Sequence, residues 1–233
     1  TITIDTAEPN SEITTPVNNG YYNSLDNITS TATDALSGVD HINITIYNST
    51  DGKYWNGSGW QTGVAWLTTT RVGSGTSVTW YRNSLPTWVD GKTYIVNSTA
   101  VDVAGNVETS PDSNSFILDD TPPSVSNVLI TDTTINSTLY VKDGDAVNVS
   151  ATVTDSNLNS GDTSYIKADL SGLGGGTAVA ATGYNGTVAW WILSSVTCNP
   201  SDGTVTVTIN ATDPAGNYNN TESDTITADN TAP

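Results

Sequence analysis

The chain has no methionine, one cysteine, one histidine and one phenylalanine in 233 residues. A lone cysteine, Cys198, cannot close an intrachain disulfide. It reads as a small buried hydrophobe, with an intermolecular disulfide as its other use. A lone histidine, His41, leaves His-cluster metal sites and most catalytic triads without their parts, and it reads as a strand-edge residue. Lysine and arginine number 6 against 24 aspartates and glutamates, a formal net charge of −18. Binding nucleic acid by displacing phosphate counterions needs clustered Lys and Arg, and an anionic membrane surface repels an acidic chain. No apolar run approaches the roughly 20 residues of a membrane-spanning helix, and no segment has the make-up of a signal peptide. Neither GxSxG nor a P-loop string occurs, and the reading is non-enzymatic.

What is present is of a consistent kind. Aspartate outnumbers glutamate 20 to 4, and threonine reaches 40. Aspartate favours turns, caps and hard-cation sites over helix interiors. Threonine and valine suit strands. The composition is that of an all-β protein.

The chain repeats itself. TIDTAEP (3–9), LDDTPP (118–123) and ADNTAP (228–233) recur as linker-like strings, and VDVAGN ends at Asn106, 111 residues before TDPAGN ends at Asn217. NITSTATD (27–34) matches NVSATVTD (148–155). The expectation is two copies of one module: 9–120 and 121–233, the second ending in a linker to a further module. Residues 1–8 are expected to be the closing strand and linker of an upstream module, since TITID matches FILDD (116–120) and TITAD (225–229). TITID could also pair with the sheet edge of another chain by strand addition.

Period-2 alternation marks the strands. In TVTVTINATD, Val205, Val207, Ile209 and Ala211 share one face, and Val147, Val149, Ala151 and Val153 share one face of AVNVSATVTD. Further runs are 42–48, 77–82, 93–101, 139–142, 165–170 and 187–196, separated by Gly, Asn, Asp and Pro. GLGGG at 172–176 reads as a hairpin loop. About seven short alternating strands per module predict two tandem immunoglobulin-like β-sandwiches joined end to end.

The strings SGVD, DGKYWNG, VDVAGN and LDDTPP in the first module, with TDPAGN and DNTAP in the second, resemble the Ig-like repeats of large bacterial and archaeal surface proteins and adhesins. The second module lacks the SGVD and DGKYWNG strings. The resemblance implies an extracellular, cell-surface, structural setting.

In such a sandwich the B–C and F–G loops lie at the end where the first strand enters. That end gathers Asp5, Asp34, Asp40, Asp102 and Asn106 in the first module, beside Glu8. In the second it gathers Asp119, Asp120, Asp155, Asp162, Asp213 and Asn217. Crowded carboxylates repel unless a cation or water separates them, and Ca²⁺ takes 6–8 oxygens from such groups. Calcium at the module junctions is therefore the expected cofactor. The other reading is that these residues only cap turns, with the AGN triplet a tight turn around glycine at positive φ.

N-x-S/T sequons occur at Asn27, Asn43, Asn48, Asn56, Asn97, Asn136, Asn148, Asn185, Asn210 and Asn219, as acceptors in a secreted setting. Seven tryptophans raise two readings. They fill a core short of Phe and Met, or exposed members such as Trp55, Trp60 and Trp66 stack on glycans. Trp190 and Trp191 are adjacent in a strand and must face opposite ways.

The leading expectation is a structural rod segment of a surface protein, filament or adhesin stalk, with neighbouring modules or further copies as partners. The alternatives are a glycan-binding adhesin module and an accessory stalk of a secreted hydrolase.

Overall fold

The structure is a computed structural model and describes residues 2–232. The chain forms two compact units, one reaching Asp120 and the other starting at Thr121.

The first unit carries β1 (Asn10–Thr15), β2 (Gly20–Tyr22), β3 (Ile28–Thr33), β4 (Val39–Asn48), β5 (Lys53–Trp55), β6 (Trp60–Gln61), β7 (Leu67–Thr68), β8 (Thr70–Val72), β9 (Ser77–Arg82), β10 (Thr93–Asp102) and β11 (Asp112–Leu118). The second carries β12 (Ser124–Asp132), β13 (Tyr140–Val141), β14 (Val147–Thr154), β15 (Ile166–Asp169), β16 (Val179–Ala180), β17 (Gly183–Tyr184), β18 (Val188–Leu193), β19 (Gly203–Thr212) and β20 (Tyr218–Ala228). One sheet of each unit has the order β1-β3-β9-β8 or β12-β14-β18-β17. The facing sheet has the order β2-β11-β10-β4-β5-β6, with β7 also on β4, or β13-β20-β19-β15-β16. In both units the first strand pairs antiparallel in one sheet, and the next short strand pairs parallel with the last strand of the other. These are two immunoglobulin-like β-sandwiches of matching topology.

Alternation decides which residues go inside. Along β10, Tyr94, Val96, Ser98, Ala100 and Asp102 are buried between partly exposed neighbours. Along β19 the buried set is Val205, Val207, Ile209 and Ala211, and along β14 it is Val147, Val149, Ala151 and Val153. Where the chain crosses between sheets, backbone groups lose their ladder partners and must find others. The last strand supplies them. Asp112 Oδ2 accepts from the Ile13 amide at 2.7 Å, and Asn114 Nδ2 donates to the Ile13 and Pro16 carbonyls at 2.9 Å each. In the second unit Asp224 Oδ2 accepts from the Ile130 amide at 3.0 Å.

Tryptophan fills both cores. Trp80 and Trp191 are each 1% exposed, and their indole N–H groups donate to the Thr31 and Val179 carbonyls. Trp190 faces the other way and is partly exposed. Trp55 and Trp60 pack against the first core from its edge, whereas Trp66 is exposed.

The structure trims several expected strands. The run at 165–170 shortens to β15, flanked by 3₁₀ turns at Thr163–Tyr165 and Ser171–Leu173. The second turn and the glycines after it form the hairpin loop from β15 to β16. The strand expected at 1–5 would close the sheet of an upstream module and not a sheet of these two units. Residues 2–5 form no strand, and Ile2 and Ile4 are 92% and 79% exposed; Thr1 lies outside the described residues. A strand needs an edge to pair with, and in the first unit the closing position belongs to β11.

Cys198 is buried, and its amide donates to Asp143 Oδ1. Burial first, and the Asp143 carboxylate second, push its thiol up to about 11. The thiol should stay protonated at pH 8 and react with a disulfide reagent only after unfolding in guanidinium; rapid labelling of the native chain would contradict this. Trp191→Ala should cost about 3–5 kcal/mol in urea titration. Trp66→Ala, at an exposed side chain, should stay within about 0.5 kcal/mol.

Candidate metal centre

Three segments of the first unit converge at one end. β3 delivers Asp34 immediately after its last residue. Asp34 Oδ2 accepts from the Leu36 amide at 3.0 Å and the Gly38 amide at 2.6 Å, which winds the loop around the carboxylate. Gly38 makes the turn possible: its φ is +87°, and a Cβ there would lie 2.9 Å from the Gly75 carbonyl oxygen. β10 ends on Asp102, whose Oδ1 and Oδ2 accept from the amide and side chain of Asn106, each at 2.7 Å. Gly105, at φ +94°, closes this turn. The entering segment supplies Asp5, which accepts from the Ala7 amide at 3.0 Å and the Ser37 amide at 2.8 Å. Its carbonyl accepts from Asn106 Nδ2 at 3.3 Å.

The result is a group of carboxylates, Asp5, Asp34 and Asp102, each with one oxygen within 4.8 Å of the others. Asp34 and Asp102 are buried, and Asp5 is partly so. Hydrogen bonds from Ser37, then from the Ala7 amide, hold the Asp5 carboxyl below the usual carboxylate range. On Asp102 burial is the largest influence and pushes upward. Hydrogen bonds from Asn106 and the Gly105 amide together outweigh it, so the net direction is down. The donors around these oxygens therefore favour charged carboxylates. One oxygen is left over: Asp34 Oδ1 is buried and has no hydrogen-bond partner.

The second unit repeats the pattern. Asp155 follows β14, and its Oδ1 accepts from the Asn157 amide at 2.7 Å. Asp213 follows β19, and it accepts from the amide and side chain of Asn217 at 2.9 and 2.8 Å. A carboxylate oxygen of Asp155 lies within 4.8 Å of one from Asp213. Asp119, directly after β11, is buried, and its amide donates to the Tyr22 carbonyl. Asp120 is exposed, and its amide donates to Asp90.

Three expected aspartate ligands, Asp120 among them, stand apart from these groups. Asp40 is exposed and pairs with His41 Nδ1 at 2.7 Å. Asp162 Oδ2 accepts from the Asn159 amide at 2.7 Å, which braces its own loop. Asn106 and Asn217 spend their side-chain amides on Asp102 and Asp213, as braces. Glu8 accepts from Thr109.

Sequence reasoning missed Glu108, which is buried and accepts from the Ser11 amide, the Ser11 hydroxyl and the Ala100 amide at 2.9, 2.6 and 2.9 Å. Its counterpart Asn219 donates to the Pro123 carbonyl. The available signal was its fixed place two residues after the AGN triplet. Each of these residues ties its unit's entering strand to the turn that carries Asp102 or Asp213.

Among the sequons, Asn27, Asn56, Asn136 and Asn185 are exposed, and Asn43, Asn97, Asn148, Asn210 and Asn219 are partly buried. Asn48 is only 4% exposed, and its amide nitrogen is committed to Asp51, so the folded chain does not present it.

No known family profile and no curated protein matches the chain. Solved structures do. The fibronectin(III)-like modules of Clostridium thermocellum CbhA align at 14% identity and a TM-score of 0.48, covering 93% of this chain and 91% of theirs. A 1.5-MDa bacterial ice-binding adhesin aligns at 13% and 0.40, covering 96% and 65%. A Ca²⁺-stabilized adhesin of an Antarctic bacterium aligns at 15% and 0.37, covering 95% and 47%. None reaches a TM-score of 0.5, so the fold assignment rests on the strand order itself.

Gly38→Ala should cost about 1–3 kcal/mol, because the loop around Asp34 needs a left-handed residue there. Gly59→Ala, with open space around it and no positive φ, should fall within about 0.5 kcal/mol in the same urea titration. Equal effects would contradict the role given to Gly38.

Proposed function

We propose that this chain is a structural stretch of an extracellular repeat protein, a stalk or shaft segment of a cell-surface protein, filament or adhesin, whose modules take up calcium where the chain enters them. The observation that carries the calcium reading is Asp34 Oδ1, a buried carboxylate oxygen with no donor, beside Asp5 and Asp102. Burying a polar atom unpaired is costly, and a cation removes that cost while screening the repulsion of its neighbours.

The chemistry of the site selects the ion. Every side-chain ligand is a carboxylate oxygen, with no sulfur or imidazole in the group. Such a set suits a hard cation better than zinc or copper. Calcium–oxygen distances of about 2.3–2.6 Å let one ion touch oxygens up to about 5 Å apart. Backbone carbonyls and water would complete its shell.

The mechanical consequence follows from which segments the ligands come from. Asp5 belongs to the segment entering the first sandwich, Asp34 follows β3 and Asp102 ends β10. One ion bound by all three pins the entering segment to two strand ends. The repeat in sequence, with Asp155 and Asp213 in the second unit standing where Asp34 and Asp102 stand in the first, extends the same reading to that unit. Calcium then makes a stiffened shaft of tandem modules, and the net charge of −18 keeps it soluble.

Calcium at about 100 times its Kd should stabilise the chain by roughly 2.7 kcal/mol, read as a rise in melting temperature that excess chelator reverses. Asp34→Asn keeps an oxygen for the Leu36 and Gly38 amides but removes a charge. In chelator it should melt at or above the wild-type temperature, and by calorimetry it should bind one calcium fewer per chain. Unchanged stoichiometry in this variant, or a wild type indifferent to calcium and chelator, would overturn the proposal.

A further inference from the structure

The first unit also carries a cleft of about 390 Å³ that neither the calcium reading nor the module reading uses. Its volume falls within the roughly 300–1,000 Å³ of small-ligand sites. Its lining includes the partly buried Trp88 and Leu85, and an exposed rim of Asp26, Asn83, Thr87 and Asp120.

The indole of Trp88 is held rigidly. Its N–H donates to the Leu25 carbonyl at 2.7 Å. The ring meets Tyr94 and Phe116 edge-on, with centroids 4.8 and 5.2 Å away. Tyr94 and Phe116 are themselves fully buried. Trp88 is thus a fixed aromatic surface, partly exposed, in contrast to the freely exposed Trp66. A platform already locked in place loses little conformational freedom when a ligand stacks on it.

The rim is polar and uncommitted. Among the described residues the carboxylates of Asp26 and Asp120 and the amide of Asn83 make no hydrogen bond or ion pair within the chain. Carboxylates only accept, whereas an amide both donates and accepts. A ligand matched to this rim needs an apolar face for the indole and several groups that donate and accept at its edge. A pyranose ring has both, and its hydroxyls would form charge-assisted hydrogen bonds to the carboxylates. A simple cation would satisfy the carboxylates but has no use for the amide donor. An acidic sugar would be repelled by Asp26 and Asp120.

We infer that the Trp88 cleft binds neutral glycans, with the indole stacking on a sugar ring and Asp26, Asn83 and Asp120 reading its hydroxyls. This moves the glycan reading away from Trp55 and Trp60, which pack against the core edge, and from the exposed Trp66. It stands independently of calcium.

The test is calorimetric titration of the full chain with cellopentaose, mannopentaose and chitopentaose, with trigalacturonate as the acidic control. At least one neutral oligosaccharide should bind with a Kd below about 10 mM, and trigalacturonate should bind at least tenfold more weakly. Asp26→Ala combined with Asn83→Ala alters only exposed side chains, so it should leave the melting temperature unchanged and weaken binding at least tenfold. Trp88→Phe keeps an aromatic ring on Tyr94 and Phe116 and should weaken binding about fivefold or more; Trp66→Ala should leave it unchanged. No binding of any neutral oligosaccharide, equal binding of trigalacturonate, or binding indifferent to the double variant would each overturn the inference.

Discussion

Carboxylates gathered within 4.8 Å of one another repel, and the folded chain brings them together all the same. Each sandwich manages this by aiming N–H groups at most of the oxygens: Leu36 and Gly38 at Asp34, Ala7 and Ser37 at Asp5, Asn106 at Asp102. On Asp5 and Asp102 these donors favour the charged carboxylate, and all of them hold the loops in shape. They also leave Asp34 Oδ1 buried with nothing to bind. Under the proposed calcium binding, the oxygens are in place before the ion arrives, and the ion would gain from both the unpaired oxygen and the relieved repulsion.

The sandwich is what makes the arrangement repeatable. In both units the strand that follows the entering strand in the first sheet ends just before an aspartate, and the penultimate strand leads into an Asp-x-Ala-Gly-Asn turn. The hydrogen bonds of the turn are the same in both, although Val103 in the first is Pro214 in the second. Asp102 and Asp213 each accept from the amide and the side chain of the asparagine four residues on, with all four distances between 2.7 and 2.9 Å. The two halves of the sequence differ widely outside these landmarks, so the turn's hydrogen bonding accounts for the retained residues more economically than the surrounding core does.

Much of this was legible in the residues. Strict alternation in β14 and β19 gave the buried faces, because a sheet with one face inward enforces a period of two. The AGN triplets gave the turns, since glycine is the residue that accepts a positive φ freely. Short, polar-flanked runs were harder to bound, as at 165–170, where turns intrude on the ladder. TITID alternates as a strand does, and as the closing strand of an upstream module its pairing edge would belong to that module; among the described residues, 2–5 form no strand. Among the aspartates, sequence proximity to the turns grouped Asp40 and Asp162 with Asp34 and Asp155. The pleat sends Asp40 to solvent, and Asp162 caps its own loop. Trp88 was invisible in advance, because its role depends on residues far away in the chain; for Glu108 the only sequence signal was its place after the AGN triplet.

The most direct test of the calcium account is X-ray diffraction from crystals grown in calcium, recorded at a wavelength where calcium scatters anomalously. The account predicts a peak in the first unit about 2.3–2.6 Å from Asp34 Oδ1 and from oxygens of Asp5 and Asp102. No peak there, with water or a protein donor satisfying Asp34 Oδ1 instead, would contradict it.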